Sequence, residues 1–544
     1  MLIYNTLTRS KQEFKPLRPG KVGFYLCGPT VYNFIHIGNA RTFLSFDVIR
    51  RYLEYSGYEV DFVQNITDVD DKIIQRAAQE GRTVQEVAEE YTRVFIDSMH
   101  ALGIADPTIR PKATEEIPAM IELIQCLVEG GHAYEADGDV YFSVRSFAPY
   151  GRLSGRSIDE MRAGGRIGED ELQRKRDPLD FALWKAAKPG EPAWESPWGE
   201  GRPGWHIECS AMSAKYLGDP FDIHAGGDDL IFPHHENELA QSEACHHSGF
   251  ANYWLHGGML TIDREKMSKS EGNFMLLKDV LEQVSPQALR LLMLQTHYRS
   301  PFDYAPQRLE EATAALERIQ SALRNMRWVI KDFMLSQGAG ETGAARAFSE
   351  KGTAGTTGET GETGAARATN MASAAGTTSE ADTTDAADAD ATGVADVTAA
   401  QQTRLRFEQA MDDDFNTAAA IAVVFELVSE GNRLAATGID SASAAQELED
   451  MRATILELLT VLGIELDEDS TAPLANAQGI RDLAAALTSY DGNGAEAALA
   501  ALLEVRSCAR TNKDWQKADA VRDGLSSLGL TIEDTPQGPR VVPR

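Results

Sequence analysis

Cysteine is scarce in this chain: five residues in 544, at positions 27, 126, 209, 245 and 508. So sparse, odd and widely spaced a set predicts no disulfide framework and a reducing, cytoplasmic setting. Long apolar runs are missing too. None approaches the ~18 residues of a membrane helix, so no membrane partner is expected. The opening Met1-Leu2-Ile3-Tyr4-Asn5-Thr6 has no basic stretch followed by an apolar one, and so no signal peptide is expected. Positive charge is in short supply: 52 Lys and Arg stand against 83 Asp and Glu, a formal net charge of -31. That sum argues against the broad basic surface of many nucleic-acid binders, although binding needs only a local basic path. An acidic exterior would also limit non-specific RNA binding. Finally, there is no G-x-x-x-x-G-K-S/T loop, the commoner cradle for phosphate.

What is present is a chain long enough for several domains, with 43% hydrophobic and 25% charged residues, the profile of a soluble globular protein. Lys21 to Pro29 reads as a strand ending in a Gly-Pro turn, and His36 to Asn39 opens a helix carrying Phe43, Phe46, Val48, Ile49 and Leu53. A second strand over Tyr58 to Ile66 and a further helix after Asp71 complete the start of a parallel doubly wound sheet. Ligands of such sheets bind beyond the carboxyl ends of the strands, where Cys27, His36 and Thr67 would cluster. Residues 120–200 read as an insertion. A βα segment resumes near Trp205 to Cys209, with strand and turn over Asp222 to Asp229 and a helix from about Pro233. Beyond 305, Leu309, Ala312, Ala315, Leu316, Ile319 and Leu323 recur at helix spacing. Residues 336–400 break that pattern. They are mostly Ala, Thr, Gly, Ser, Asp and Glu, and the octapeptide at 340–347 recurs identically at 361–368. So little apolar surface cannot offset ordering entropy, which predicts a disordered, dispensable insert.

Two constellations carry chemistry. His234 and Glu238 are four apart and share a helix face, suitable for two ligands of one ion. With Cys27 and Cys209, both expected at strand ends, they would complete a tetrahedral zinc set. The H-E-x-x-H protease pattern is not met, because Leu239 stands where its second histidine would be. Spacing alone leaves the matter open, since a helical His/Glu pair is more often solvated surface and a strand-end Cys more often core. The second constellation suits phosphate. His36 and Asn39 at a helix N-terminus can donate to phosphate oxygens beside the backbone N–H groups. Lys266 and Lys269, on a Ser/Gly-punctuated loop, are mobile point charges. Either stretch, taken singly, is equally well an ordinary surface loop or helix start.

Together, His36-Ile37-Gly38-Asn39 and Lys266-Met267-Ser268-Lys269-Ser270 resemble the HIGH and KMSKS signatures of the class I aminoacyl-tRNA synthetases. KMSKS is matched in full, whereas Asn39 replaces the last residue of HIGH, keeping a hydrogen-bond donor that cannot be protonated. Further blocks are similar to the cysteinyl-tRNA synthetase family: Cys27 to Tyr32, Asn65 to Lys72, Gly201 to Ser210, Phe232 to Glu238 and Met411 to Thr417.

The resemblance implies that Cys27, Cys209, His234 and Glu238 hold one Zn²⁺, which takes the substrate thiolate and discriminates against the hard hydroxyl of serine. It implies ATP contacts from His36, Gly38, Asn39, Lys266, Met267, Ser268 and Lys269, with Mg²⁺ accompanying the nucleotide. His36, Lys266 and Lys269 would be the catalytic groups, stabilising charge on the phosphates. Thr67, Trp205 and Asp229 would line the amino-acid pocket, Asp229 on the ammonium group. His224, His235 and His256 would lie nearby, as support for the metal or as packing. Arg510, Trp515 and Asp519 would read the anticodon of tRNA(Cys) by stacking and base-edge contacts.

The implied reaction joins L-cysteine to ATP as cysteinyl-adenylate and then to the 3′-terminal adenosine of tRNA(Cys), in a monomeric enzyme. The alternative is a mycothiol-pathway ligase that joins cysteine to a glucosamine–inositol acceptor and lacks an anticodon module. The implied fold is α/β, a Rossmann-type doubly wound parallel sheet with an inserted connective subdomain, then a helical bundle and a small C-terminal anticodon-binding domain. The expected divisions are 1–120 and 201–255 for the two halves of the catalytic domain, with 121–200 between them. The KMSKS-bearing stem-contact region is expected at 256–305, the bundle at 306–477 and the C-terminal module at 478–544.

Overall fold

The computed structural model describes the chain except for residues 161–172, 263–264, 267–274, 339–396, 467–476, 491, 493, 536–537 and 544. Most of the 336–400 insert, and Met267, Ser268 and Lys269, therefore lie outside the described residues.

A short hairpin, β1 (Leu2–Asn5) with β2 (Ser10–Glu13), leads into β3 (Lys21–Leu26), α1 (Ile37–Tyr55), β4 (Glu59–Gln64), α2 (Asp71–Glu80), α3 (Val84–Ala101) and α4 (Ile117–Glu129). An antiparallel sheet follows, formed by β5 (Ala133–Ala136), β6 (Asp139–Phe142), β7 (Phe181–Ala186) and β8 (Gly201–Pro203). Then come α5 (Trp205–Leu217), β9 (Phe221–Gly227), α6 (Glu236–His246) and β10 (Ala251–Gly257). The central sheet has the order β10-β9-β3-β4, every pairing parallel. Its strands are covered on both faces and so read as nearly continuous apolar runs. Strand parity assigns the faces. Phe24 and Leu26 join the core shared with α1, whereas Tyr25 and Cys27 join the core beneath α4, α5 and α6. The order reverses between β3 and β9, which opens a crevice at their carboxyl ends.

Beyond the sheet, β11 (Leu260–Ile262) pairs with the short β12 (Glu265–Lys266) and with β13 (Phe302–Tyr304), and α7 (Leu277–Leu281) and α8 (Pro286–Leu294) lie between. The bundle is α9 (Pro306–Gly338), α10 (Ala399–Asp412), α11 (Thr417–Thr437) and α12 (Ala442–Val461). Its core is continuous with the α1 face of the sheet. Asp414, between α10 and α11, accepts from the Tyr4 N–H at 2.8 Å, the Tyr298 hydroxyl at 3.0 Å and the Arg299 guanidinium at 2.7 Å. One carboxylate thus ties the bundle to the chain start and to the stretch before β13. A separate small core joins α13 (Ala477–Leu487), α14 (Ala495–Thr511), α15 (Trp515–Ser527), β14 (Leu530–Thr535) and β15 (Gly538–Pro543). No described helix is long and apolar enough to cross a membrane.

Two sequence expectations need correction. Cys209 is not at a strand end: the strand is only Gly201–Pro203, and Cys209 sits in the second turn of α5. The cysteines are also not all free, because Cys126 on α4 and Cys245 on α6 are bonded. Their separation of 119 residues gives no spacing signal, and only the packing of α4 on α6 brings them together.

Candidate metal centre and nucleotide cleft

Four donors meet where β3 ends against α5 and α6. Cys27 follows β3, Cys209 lies on α5, His234 on the turn Ile231–His235, and Glu238 in the first turn of α6. All four are at most 5% exposed, and their ligand atoms lie within 4.8 Å of one another. Tetrahedral bonds of about 2.3 Å to sulfur and 2.0–2.1 Å to nitrogen or oxygen put two sulfurs about 3.8 Å apart and a sulfur and a nitrogen or oxygen about 3.6 Å apart. The observed separations are 3.7 Å for Cys27 Sγ to Cys209 Sγ, 3.6 Å for Cys27 Sγ to Glu238 Oε1 and 3.6 Å for Cys209 Sγ to His234 Nε2. His234 Nε2 to Glu238 Oε1, at 2.9 Å, is closer, as a direct ion pair requires. Donor chemistry and spacing therefore fit zinc.

The electrostatics fit as well. Burial pushes the Cys209 thiol up, but hydrogen bonds from Cys27 and His234 outweigh it and bring the group to about 6. Burial disfavours charge on His234, yet the facing Glu238 carboxylate raises it to about 10. Burial would raise Glu238, and the charges of His234 and His224 hold it well below the usual carboxylate range. Burial drives the Cys27 thiol up.

Outside the donors lies a shell of imidazoles. His234 Nδ1 is 2.8 Å from His206 Nδ1, and His224 Nε2 is 2.7 Å from the second Glu238 oxygen. His235 Nε2 lies 3.3 Å from Cys27 Sγ, His235 Nδ1 is 2.8 Å from His256 Nε2, and His256 Nδ1 is 2.8 Å from the Thr6 hydroxyl. Burial holds His206, His235 and His256 neutral, His256 at about 3, so each ring can donate through one nitrogen and accept through the other. Such partners fix the tautomer and orientation of ligating groups. A second donor group, Cys27, His224, His235 and Glu238, shares two members with the first. Neither His224 nor His235 lines the cleft, and both serve the first set as hydrogen-bond partners. His206 and Thr6 escaped the sequence reading. The crowding of His206, His224, His234, His235 and His256, out of 11 histidines in the chain, was the available signal.

Cys27 forms part of the floor of a cleft of about 310 Å³ lined also by Tyr32, His36, Asn39, Trp205, Gly227 and Asp229. The turn after Cys27 needs glycine: a Cβ on Gly28 would lie 1.6 Å from the Asn65 carbonyl oxygen. Trp205, the first residue of α5, stacks on His234 with ring centroids 4.2 Å apart. Asp229 is exposed on the turn after β9. Thr67 stands behind the wall instead. It is 1% exposed, absent from the cleft lining, and donates to Glu208 at 2.6 Å.

His36 is the N-cap of α1. Its Nδ1 accepts the Asn39 N–H at 3.2 Å, and Asn39 Oδ1 accepts the His36 N–H at 3.4 Å. This reciprocal box settles the polar ends. The His36 ring is neutral with its proton on Nε2, and the Asn39 amide presents its NH₂ as donor. Gly38 lies in the first turn of α1. The chain just after the second signature joins this site directly, since the Ile37 N–H donates to Met275 O at 3.2 Å and the Leu277 N–H to Ile35 O at 3.0 Å. The backbone of Lys266 lies in β12; its side chain is outside the described residues.

In the C-terminal module, Trp515 starts α15 and is 59% exposed, not a packing residue. Arg510 is paired with Asp534, and Asp519 with Arg522 at 2.9 Å.

Residues 13–314 match the model for the class I (C) tRNA synthetase catalytic domain, 406–467 the DALR domain, and 493–540 the cysteinyl-tRNA ligase anticodon binding domain. The chain is 46% identical over 542 residues to a cysteine–tRNA ligase of Desulforamulus reducens, covering 99% of both. It is 44% identical over 539 residues to that of Desulfitobacterium hafniense, covering 99% of this chain and 98% of the relative. Among solved structures, a leucyl-tRNA synthetase complex from Agrobacterium radiobacter superposes with a TM-score of 0.54 at 12% identity, over 83% of this chain and 85% of that one. Methionyl-tRNA synthetase of Mycobacterium tuberculosis superposes with a TM-score of 0.51 at 15% identity, over 81% and 89%. These two establish the fold alone. With a catalytic cleft, a bundle and an anticodon module all matched in order along one chain, the protein belongs to the cysteine–tRNA ligase family of class I aminoacyl-tRNA synthetases.

Proposed function

We propose that the cleft activates L-cysteine with ATP and passes it to the terminal adenosine of tRNA(Cys), with Cys27, Cys209, His234 and Glu238 holding Zn²⁺ as the selectivity element. The observation that carries this is the set of four buried donors gathered within 4.8 Å of one another, of which Cys27 also lines the cleft. A zinc ion there supplies a Lewis acid that prefers a soft thiolate to a hydroxyl. The chain's own groups do the rest. The Trp205 ring closes one wall over the amino-acid side chain, and the Asp229 carboxylate receives the ammonium group. That orients the substrate carboxylate toward the α-phosphorus of ATP. His36 Nε2–H and the Asn39 NH₂ donate to phosphate oxygens at the N-terminus of α1, where the helix dipole adds to them. Lys266 and Lys269 supply positive charge from the other side, and Mg²⁺ accompanies the nucleotide. No side chain acts as nucleophile, so catalysis rests on positioning and charge stabilisation. Thr67 acts from behind, through Glu208 and the Cys27 turn.

Trp515, exposed at the start of α15, would stack on an unpaired anticodon base, and Arg510 and Asp519 would meet base edges. The domain divisions follow the boundaries given above, and one chain in the cytoplasm is the working unit. The test is cysteine- and serine-dependent ATP–pyrophosphate exchange before and after zinc chelation. Exchange with cysteine alone, lost on chelation and restored by Zn²⁺, is expected. Exchange indifferent to zinc would remove the metal from the mechanism. Charging of tRNA(Cys) rather than a glucosamine–inositol acceptor is expected to follow.

A further inference from the structure

The disulfide between Cys126 and Cys245 has no place in the chemistry above. Its position does. Cys126 lies near the end of α4, whose Met120, Ile124 and Leu127 share a core with Leu239, Ala240 and Ala244 of α6. Cys245 lies in the last turn of α6, the helix whose first turn carries Glu238. That same turn carries Glu236, a buried carboxylate accepting the N–H groups of Gly151 at 2.9 Å and Ser154 at 2.7 Å. The 119-residue loop that the bond closes contains Cys209, His234 and Glu238, three of the four metal donors.

Accessibility separates this pair from the two donor thiols. Cys27 and Cys209 are buried, whereas Cys126 and Cys245 are both half-exposed. The bond thus lies at the margin of the fold's interior rather than deep within it. In a thiol-rich cytosol a disulfide is usually transient or redox-sensing rather than structural. One thiol is guaranteed to be present wherever this enzyme works, namely its own amino-acid substrate.

We propose that Cys126–Cys245 is a reversible crosslink that reports the cysteine-to-cystine ratio and, when closed, clamps α6 onto α4. Opening takes two exchanges. A cysteine thiolate attacks one sulfur of the bond; a mixed disulfide forms there, and the other protein sulfur leaves as a thiolate. A second cysteine attacks the cysteinyl sulfur of the mixed disulfide, releasing cystine and the second protein thiolate. Two cysteines are oxidised to one cystine, two electrons pass to the protein, and the thiolates take protons from water. The reverse reaction, with cystine as oxidant, closes the bond. The closed form restrains the loop that holds the donors without altering the donor set.

The experiment uses the full-length protein, equilibrated over a series of cysteine and cystine concentrations, quenched by alkylation and mapped by peptide mass spectrometry. Cys126 and Cys245 should lose and regain their labels together, as one crosslinked pair, following the square of cysteine over cystine, while exposed Cys508 gains and loses a single cysteinyl adduct. C126S should instead accumulate a cysteinyl adduct on Cys245 and form no crosslink. Amide hydrogen exchange over residues 236–246 should be about tenfold slower in the closed form than in the open one. A pair that stays unlinked at every ratio, or that acquires stable adducts independently, overturns the proposal. Equal exchange in the two forms overturns the clamp.

Discussion

Arg41 is the residue whose loss should most clearly separate folding from nucleotide binding. It sits one turn into α1 and is 2% exposed. Its guanidinium donates to the carbonyls of Gly258, of Ser300 at 2.6 Å and of His297 at 3.2 Å. Burial lowers its pKa to about 10, which leaves it charged at neutral pH. Those carbonyls flank β11 and β13, the strands on which β12 and Lys266 are mounted. The approach is close enough that a Cβ on Gly258 would lie 2.5 Å from the carbonyl oxygens of Arg299 and Ser300. Arg41 therefore fastens the helix that begins at His36 to the strands that carry Lys266. Each hydrogen bond from a charged donor contributes about 1.5–3 kcal/mol, and removing the donor leaves buried carbonyls unpaired. Against this stands the relief of burying one cation, so Arg41→Met should cost about 3–5 kcal/mol rather than the full sum. Arg41→Lys, with one compact head in place of a fork, should lose about half as much. Urea unfolding measures the stability, and pyrophosphate exchange gives the KM for ATP, expected to rise while that for cysteine holds. A cost below about 1 kcal/mol, or a KM effect confined to cysteine, would refute the tie.

Trp205→Ala should raise the KM for cysteine by about tenfold with a smaller effect on that for ATP, since the ring packs on His234 and walls the cleft; Phe should recover part of it. Trp515→Ala should raise the KM for tRNA about tenfold to a hundredfold, in line with the loss of one base stack, and leave pyrophosphate exchange untouched. Asp71 accepts from Lys185 at 2.7 Å and from Arg202. Burial would raise its carboxyl, but the charge of Lys185 and then of Arg202 brings it from 3.8 to about 2. A depressed acid stabilises the fold above its unfolded value and loses that contribution as pH falls from about 4 toward 2. The advantage of wild type over Asp71→Asn in chemical denaturation should be about 1 kcal/mol at neutral pH, allowing for solvent around a half-exposed group, and should shrink over that window.

The sheet was legible because its strands are short apolar runs bounded by Gly-Pro and Asp-rich turns, and α1 because Phe43, Phe46, Ile49 and Leu53 follow helix spacing. The donor set was legible only through family blocks. Cys27 and Cys209 are 182 residues apart, and nothing local says that their sulfurs meet. Cys209 was placed at a strand end because the eye takes Trp205-His206-Ile207 as apolar alternation; Gly204 instead ends the strand, and the helix starts at once. The Cys126–Cys245 bond was illegible for the same reason in stronger form, since each cysteine alone reads as a small helix residue. The capping role of His36 and Asn39 could have been foreseen. A polar residue at N-cap followed three later by an amide is a capping signature, and it competes for the atoms that the phosphate reading assigns to ligand.

Under the proposed function the two roles are compatible. A histidine at N-cap uses Nδ1 on the helix and is left with its proton on Nε2; an asparagine at the third position uses Oδ1 on the cap and is left with NH₂. The bonds that start α1 therefore turn a donor of each side chain away from the cap, as the proposed contacts to phosphate oxygens, which only accept, require. Asn39 in place of histidine gives up a protonatable ring but gains an amide whose orientation the helix itself fixes. No tautomer then has to be selected when the nucleotide arrives. The backbone bonds from Ile37 to Met275 and from Leu277 to Ile35 extend the same element to the edge of the lysine loop. The start of one helix thus orients two side chains in the cleft lining and, through its backbone, holds the residues that follow the second signature, which is the arrangement the proposed function asks of two signatures far apart in sequence.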